Sequence, residues 1–125
     1  MQKRIEVTNF QQLEKTLVIE GADINIDTST LRASGEMLVD SDSLAFIYKL
    51  ENEQEYIYVS LPISVWPSLK TVLEEEQAVI LHLPTKEIEL TNIIPELRYL
   101  LHNIEGNANY GEEMVELVEN TFLQR

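Results

Sequence analysis

Cysteine is absent from the 125 residues, which removes disulfide scaffolds, thiolate zinc sites, iron–sulfur clusters and thiol catalysis together. Basic residues are few. Nine Lys and Arg stand against 22 Asp and Glu, a formal net charge of −13. Lys3 and Arg4 are the only adjacent basic pair. Nucleic-acid backbones are held by clustered Lys and Arg that displace counterions, so binding to DNA or RNA is excluded, as is attachment to anionic lipid through a basic patch. Glycine is scarce too, and Gly21, Gly35, Gly106 and Gly111 never approach a phosphate-cradling spacing. Apolar runs such as Ala78–Leu81 fall far short of the ~20 residues that cross a bilayer. Met1–Glu6 has no apolar signal core behind its charges. These gaps point to a cytoplasmic protein with no membrane, nucleic-acid or cofactor requirement.

What is present suits one globular unit. Hydrophobic residues make up 44% and charged residues 25%, ordinary values for a folded chain, and the length fits a single α+β domain over residues 1–125. Alternation marks strands around Ile5 and Val7, at Leu17–Ile19, at Ile24–Ile26 and at Met37–Val39. Leu44–Leu50 and Tyr56–Leu61 flank the wholly polar Glu51–Glu55 and read as an antiparallel hairpin. Period 3.6 follows, with Ser64 as a cap, Pro67 in a first turn and Trp66, Leu69 and Leu73 as a buried stripe. The run Glu74–Glu76 opposes the helix dipole, so that end is expected to fray.

A second, edge-like hairpin comes next, Val79–Leu83 and Glu87–Leu90 about Pro84. Two helices close the chain. The first starts at Asn92 and buries Leu97, Leu100, Leu101 and Ile104, with Gly106 in the left-handed position past its end. The second opens on an Asn109–Glu112 capping box and buries Met114, Leu117, Val118 and Phe122. The expected fold is α+β: a mostly antiparallel sheet of about six to seven strands, packed on one face by three helices.

Acidity is uneven. Residues 1–50 hold five basic against eight acidic residues, and residues 51–125 hold four against fourteen.

Two loops carry candidate binding residues. Asp40, Ser41 and Asp42, with Glu36 just before, form the densest short carboxylate group outside a helix, and hard cations take such oxygens. EF-hand spacing fails because Leu44 stands where a third oxygen ligand belongs. The preferred reading is therefore a turn in which each Asp caps a backbone N–H, with a metal site at Glu36, Asp40 and Asp42 as the weaker alternative. The other loop, Asn103–Gly111, brings Asn107, Asn109 and Tyr110 to an amide-rich junction that suits an anion or a peptide backbone, or simply a tight corner between helices. His82 and His102 lack any accompanying nucleophile motif and read as structural. Tyr48, Tyr56, Tyr58 and Trp66 supply either core or an exposed aromatic surface, core being preferred.

The stretches Gly35–Asp42 with Ala45–Tyr48, and Asn103–Glu113, together with Glu89–Thr91 and Trp66–Pro67, resemble a small uncharacterised family of Bacilli, the YjbL-like family. The resemblance runs from Gly35 onward, and residues 1–34 match only in general character. It implies a cytoplasmic bacterial protein of this length and brings no activity, cofactor or catalytic residues. The function expected is a non-enzymatic protein-interaction or regulatory module, self-association through a sheet edge or the last helix included. The alternative is a small metal-dependent enzyme or ligand-binding protein built on Glu36, Asp40 and Asp42.

Overall fold

Residues 3–21 and 26–123 are described by a computed structural model. The expected strand at Ile24–Ile26 falls mostly on Ile24 and Asn25, which lie outside the described residues. Seven strands form one curled sheet in the order β3-β4-β5-β1-β2-β6-β7: β1 Lys3–Gln12, β2 Thr16–Gly21, β3 Arg32–Asp40, β4 Ala45–Glu51, β5 Tyr56–Pro62, β6 Ala78–His82 and β7 Glu87–Glu89. The hairpin read from the aromatic and β-branched run is β4–β5, paired in unbroken antiparallel register from Ala45–Pro62 to Glu51–Tyr56. β1–β5 and β2–β6 are parallel and the other pairs antiparallel, so the α+β expectation holds with a mixed sheet.

Three helices lie on one face: α1 Trp66–Glu75, α2 Ile93–Ile104 and α3 Glu112–Val118, which runs on into a π-turn at Glu119–Leu123. The 3.6-residue stripes land where the spacing places them, except that Leu117 of the last helix is only half-buried. Trp66, Leu69, Leu73, Leu97, Leu100, Leu101, Ile104, Met114, Val118 and Phe122 are all buried against the alternate strand residues Ile5, Ile19, Phe46, Tyr48, Val59 and Leu81. At the centre, Phe46, Trp66 and Phe122 pack at ring separations of 5.0, 5.9 and 5.8 Å. The indole N–H of Trp66 donates to the Leu61 carbonyl at 3.0 Å, so the largest buried side chain leaves no polar atom unmet.

The helix ends differ from expectation. α1 follows a 3-10 turn at Ile63–Val65, so Val65 rather than Ser64 precedes it, and no side chain caps it. α2 starts after Asn92, whose backbone is left-handed (φ 66°) and whose amide turns away from the helix to the Gly35 carbonyl, 3.0 Å distant. The Asn109–Glu112 box does not form: Gly111 precedes α3, and the Asn107 side chain accepts from the Asn109 N–H instead. The acidic end of α1 is held rather than frayed. Arg98 donates to the Leu73 carbonyl at 2.8 Å, which satisfies one terminal acceptor and sets a cation at the negative end of the helix dipole.

Candidate functional site

Asp40, Ser41 and Asp42 sit at the rim of a depression of about 370 Å³ on the helix-free face, lined also by Arg4, Leu38, Ile47 and Tyr58. Here the sheet is strongly coiled. Arg4 on β1 reaches past β5 and β4 to β3, donating to Asp40 Oδ2 at 2.9 Å and to Ser60 Oγ at 3.2 Å. That bridge covers Ile47 and Ser60, which are almost fully buried although no helix lies over them. Asp40 Oδ1 accepts the Ser43 N–H at 3.1 Å, so this aspartate caps its turn as expected. The hydrogen bond from Arg4 holds the Asp40 carboxyl below the usual carboxylate range, ahead of the opposing effect of burial. Leu44 closes the turn at φ 54°, a costly backbone state for leucine, with its side chain packed on the core.

Glu36 does not join this group. Residues four apart on a strand are separated by about 13 Å, and Glu36 is held 3.2 Å from Lys49 Nζ. Among the described residues no three His, Cys, Asp or Glu side chains converge as a metal site would require. Lys49 in turn lies 4.2 Å from the Tyr56 ring centre. Burial lowers its ammonium pKa, but Glu36 and the neighbouring tyrosines outweigh that and the net shift is upward. Of the four aromatics considered above, Tyr48 and Trp66 are core, whereas Tyr56 is exposed and Tyr58 half-buried on the helix-free face.

The second candidate loop lies apart, between α2 and α3. Its Asn107 amide is used at both ends, accepting from Asn109 N–H and donating to the Asn103 carbonyl, while Tyr110 packs against the core. Gly106 is left-handed (φ 65°) as the helix end requires, and its N–H donates to Glu119. This loop is a self-satisfied corner. His82 is exposed and pairs with Glu87 across β6–β7 at 3.2 Å.

Of the two outer edges of the sheet, β3 is covered and β7 is short and acidic. At β3, a bulge between Ala33 and Met37 places Gly35 at φ 78°. Its N–H donates to the buried Tyr48 hydroxyl, which donates onward to the Thr91 carbonyl. Burial raises the Tyr48 phenol pKa, keeping it a neutral donor. Next to it the Met37 N–H donates to Glu96 in the first turn of α2 at 2.9 Å. β7 has only three residues, two of them exposed glutamates.

A third edge is bare among the described residues. β1 runs for ten residues, but β5 accompanies it only from Lys3 to Glu6 before leaving toward α1. A register shift between Val7 and Asn9 marks the departure. From Thr8 to Leu13 every residue is exposed, Phe10 by 40% and Leu13 by 44%. The Leu13 N–H donates to the Thr16 carbonyl. Alternation along an antiparallel ladder then turns the N–H and C=O of Phe10 and Gln12 away from β2, into solvent. The signal was present in the sequence: Val7–Leu13 carries no charge between Glu6 and Glu14.

A curled mixed sheet with helices on one side defines a small α+β protein. The chain belongs to UPF0738, a family of unknown function, whose model matches residues 5–122. Membership of an uncharacterised family found in Bacilli thus holds, and the match begins at residue 5 rather than at Gly35. The chain is 42% identical to UPF0738 proteins of Bacillus cytotoxicus and Bacillus mycoides and 41% to one of Bacillus cereus, over 98% of this chain and 100% of each relative. No solved structure matches it. Among the described residues no helix is long and apolar enough to cross a membrane.

Proposed function

We propose that this protein is a non-enzymatic interaction module of the bacterial cytoplasm, a single domain over residues 1–125 that recruits a protein partner by strand addition. The observation that carries this reading is the exposed edge along β1 and its end, Thr8–Leu13, which bears no charge of its own, in a molecule whose β3 edge is covered and whose β7 edge is short and acidic. A free edge offers main-chain hydrogen bonds for affinity and alternate side-chain positions for specificity. Exposed unpaired strands are aggregation hazards that folds ordinarily blunt with charge, bulges or cover, so a bare one calls for an occupant. The metal-dependent alternative loses support from the engagement of Asp40 by Arg4 and of Glu36 by Lys49.

A pull-down from Bacillus lysate with mass-spectrometric identification, run with the wild-type chain and with Phe10→Pro, tests the reading. Proline removes the outward N–H of Phe10 without touching the β2 ladder. Partners retained by the wild type and lost by the variant are expected. Recovery that is identical with both chains counts against it.

A further inference from the structure

We infer that the occupant of the bare edge is a second copy of this chain, with Asn9–Gln12 of β1 and the adjoining Leu13 pairing antiparallel with themselves across a two-fold axis. This rests on the interaction-module reading and names its partner. An antiparallel register centred on Gln11 sets Phe10 opposite Gln12 of the partner subunit. Both residues turn their N–H and C=O outward, so each such pair exchanges two backbone hydrogen bonds, and the symmetry repeats them on the other side of the axis. Gln11 meets Gln11 of the partner subunit on the axis, where two amides donate to and accept from each other.

Charge selects the same occupant. Two chains of net charge −13 repel one another, and a contact between them must avoid placing carboxylates face to face. Val7–Leu13 has no ionisable side chain, and the flanking Glu6 and Glu14 lie at its ends. The centred register puts Glu14 across from Thr8 of the partner subunit, a neutral residue. A strongly basic strand would find no acidic side chain within the stretch. The outer edges cannot serve in this way, since Glu96 and Asn92 occupy the outward groups of β3 and β7 presents Glu87 and Glu89. Two five-residue strands bury less than the ~1,200 Å² at the lower end of stable interfaces, so the association is weak and concentration-dependent.

Sedimentation equilibrium of the wild-type chain from about 10 µM to about 1 mM tests this. The mean mass should rise from 14.4 kDa toward twice that value, and should rise at lower protein concentration in high salt, which screens the like-charge repulsion. Gln11→Glu and Gln11→Lys, both at an exposed position, should each weaken association at least tenfold by setting like charges on the axis. An equimolar mixture of the two should restore it through mixed dimers. A constant monomer mass in both salts, or association indifferent to both substitutions, overturns the second-copy assignment. A wild-type chain that stays monomeric yet captures another protein in a Phe10→Pro-sensitive manner also overturns it, while leaving the module reading intact.

Discussion

Strands β3 and β1 each present backbone to the outside, and the fold treats them in opposite ways. Along β3 the outward groups near Gly35 and Met37 are taken up by Asn92 and Glu96 at the start of α2, and the Tyr48 hydroxyl ties the bulge to Thr91. Along β1, beyond Glu6, β5 no longer pairs and the strand itself carries no charge. The neighbouring side chains that reach it, Glu20 on Asn9 and Gln77 on Gln12 and the Leu13 carbonyl, come from β2 and the start of β6. Covering β3 draws on a helix start, a buried phenol and a glycine bulge. Leaving β1 open needs only that β5 depart four residues into the strand. One edge is thus guarded by specific chemistry, while Thr8–Leu13 on the other is neutral and exposed.

The contrast can be broken or sharpened by substitution. Trp66→Ala, in the core beneath the guarded half, should cost about 3–5 kcal/mol in urea denaturation, whereas the aromatic on the bare edge should be nearly dispensable. Glu96→Ala strips the Met37 N–H of its charged acceptor and should cost about 1–3 kcal/mol. Hydrogen exchange at Met37 should accelerate with it, and an unchanged rate would mean that the β3 edge is not guarded in this way. Asp40→Asn should lower stability at pH 7 by a smaller amount. Because the folded Asp40 carboxyl titrates below its unfolded value of about 3.9, its contribution is complete above that pH and is lost as pH falls through the lower folded pKa. The gap between wild type and Asp40→Asn should therefore close in strongly acidic solution, and a gap independent of pH would remove the Arg4–Asp40 bridge as its source. Phe10→Ala, smallest of all, should change the stability of the monomer by no more than about 0.5 kcal/mol. A larger loss would make the bare edge part of the core.

The elements set by local periodicity were legible. The β4–β5 hairpin and the buried stripes of α2 and α3 follow from alternation and from 3, 4 and 7 spacings that tertiary contacts reinforce. The caps were not. Ser64, Asn92 and Asn109 have the right chemistry for helix starts, but distant groups such as the Gly35 carbonyl compete for the same atoms. Parallel pairing of β1 with β5 and β2 with β6 depends on which strand fills a neighbouring slot, and no spacing within either strand encodes it. The candidate loops were located correctly as turns, but Arg4 as the partner of Asp40 lies thirty-six residues away and left no local mark. The bare edge was visible only as a missing charge, whose meaning depended on where β5 turned away.

Trp66 is the sole tryptophan of the chain, and it is sealed between Phe46 and Phe122 with its N–H given to a backbone carbonyl. The molecule thus contains a single built-in fluorophore. It sits at the seam between sheet and helices, away from the surface where copies would meet. Its emission should lie to the blue and resist aqueous quenchers while α1 and the final turn stay seated. A red shift would report those helices lifting from the sheet, and dimerisation along β1 should leave the spectrum unmoved.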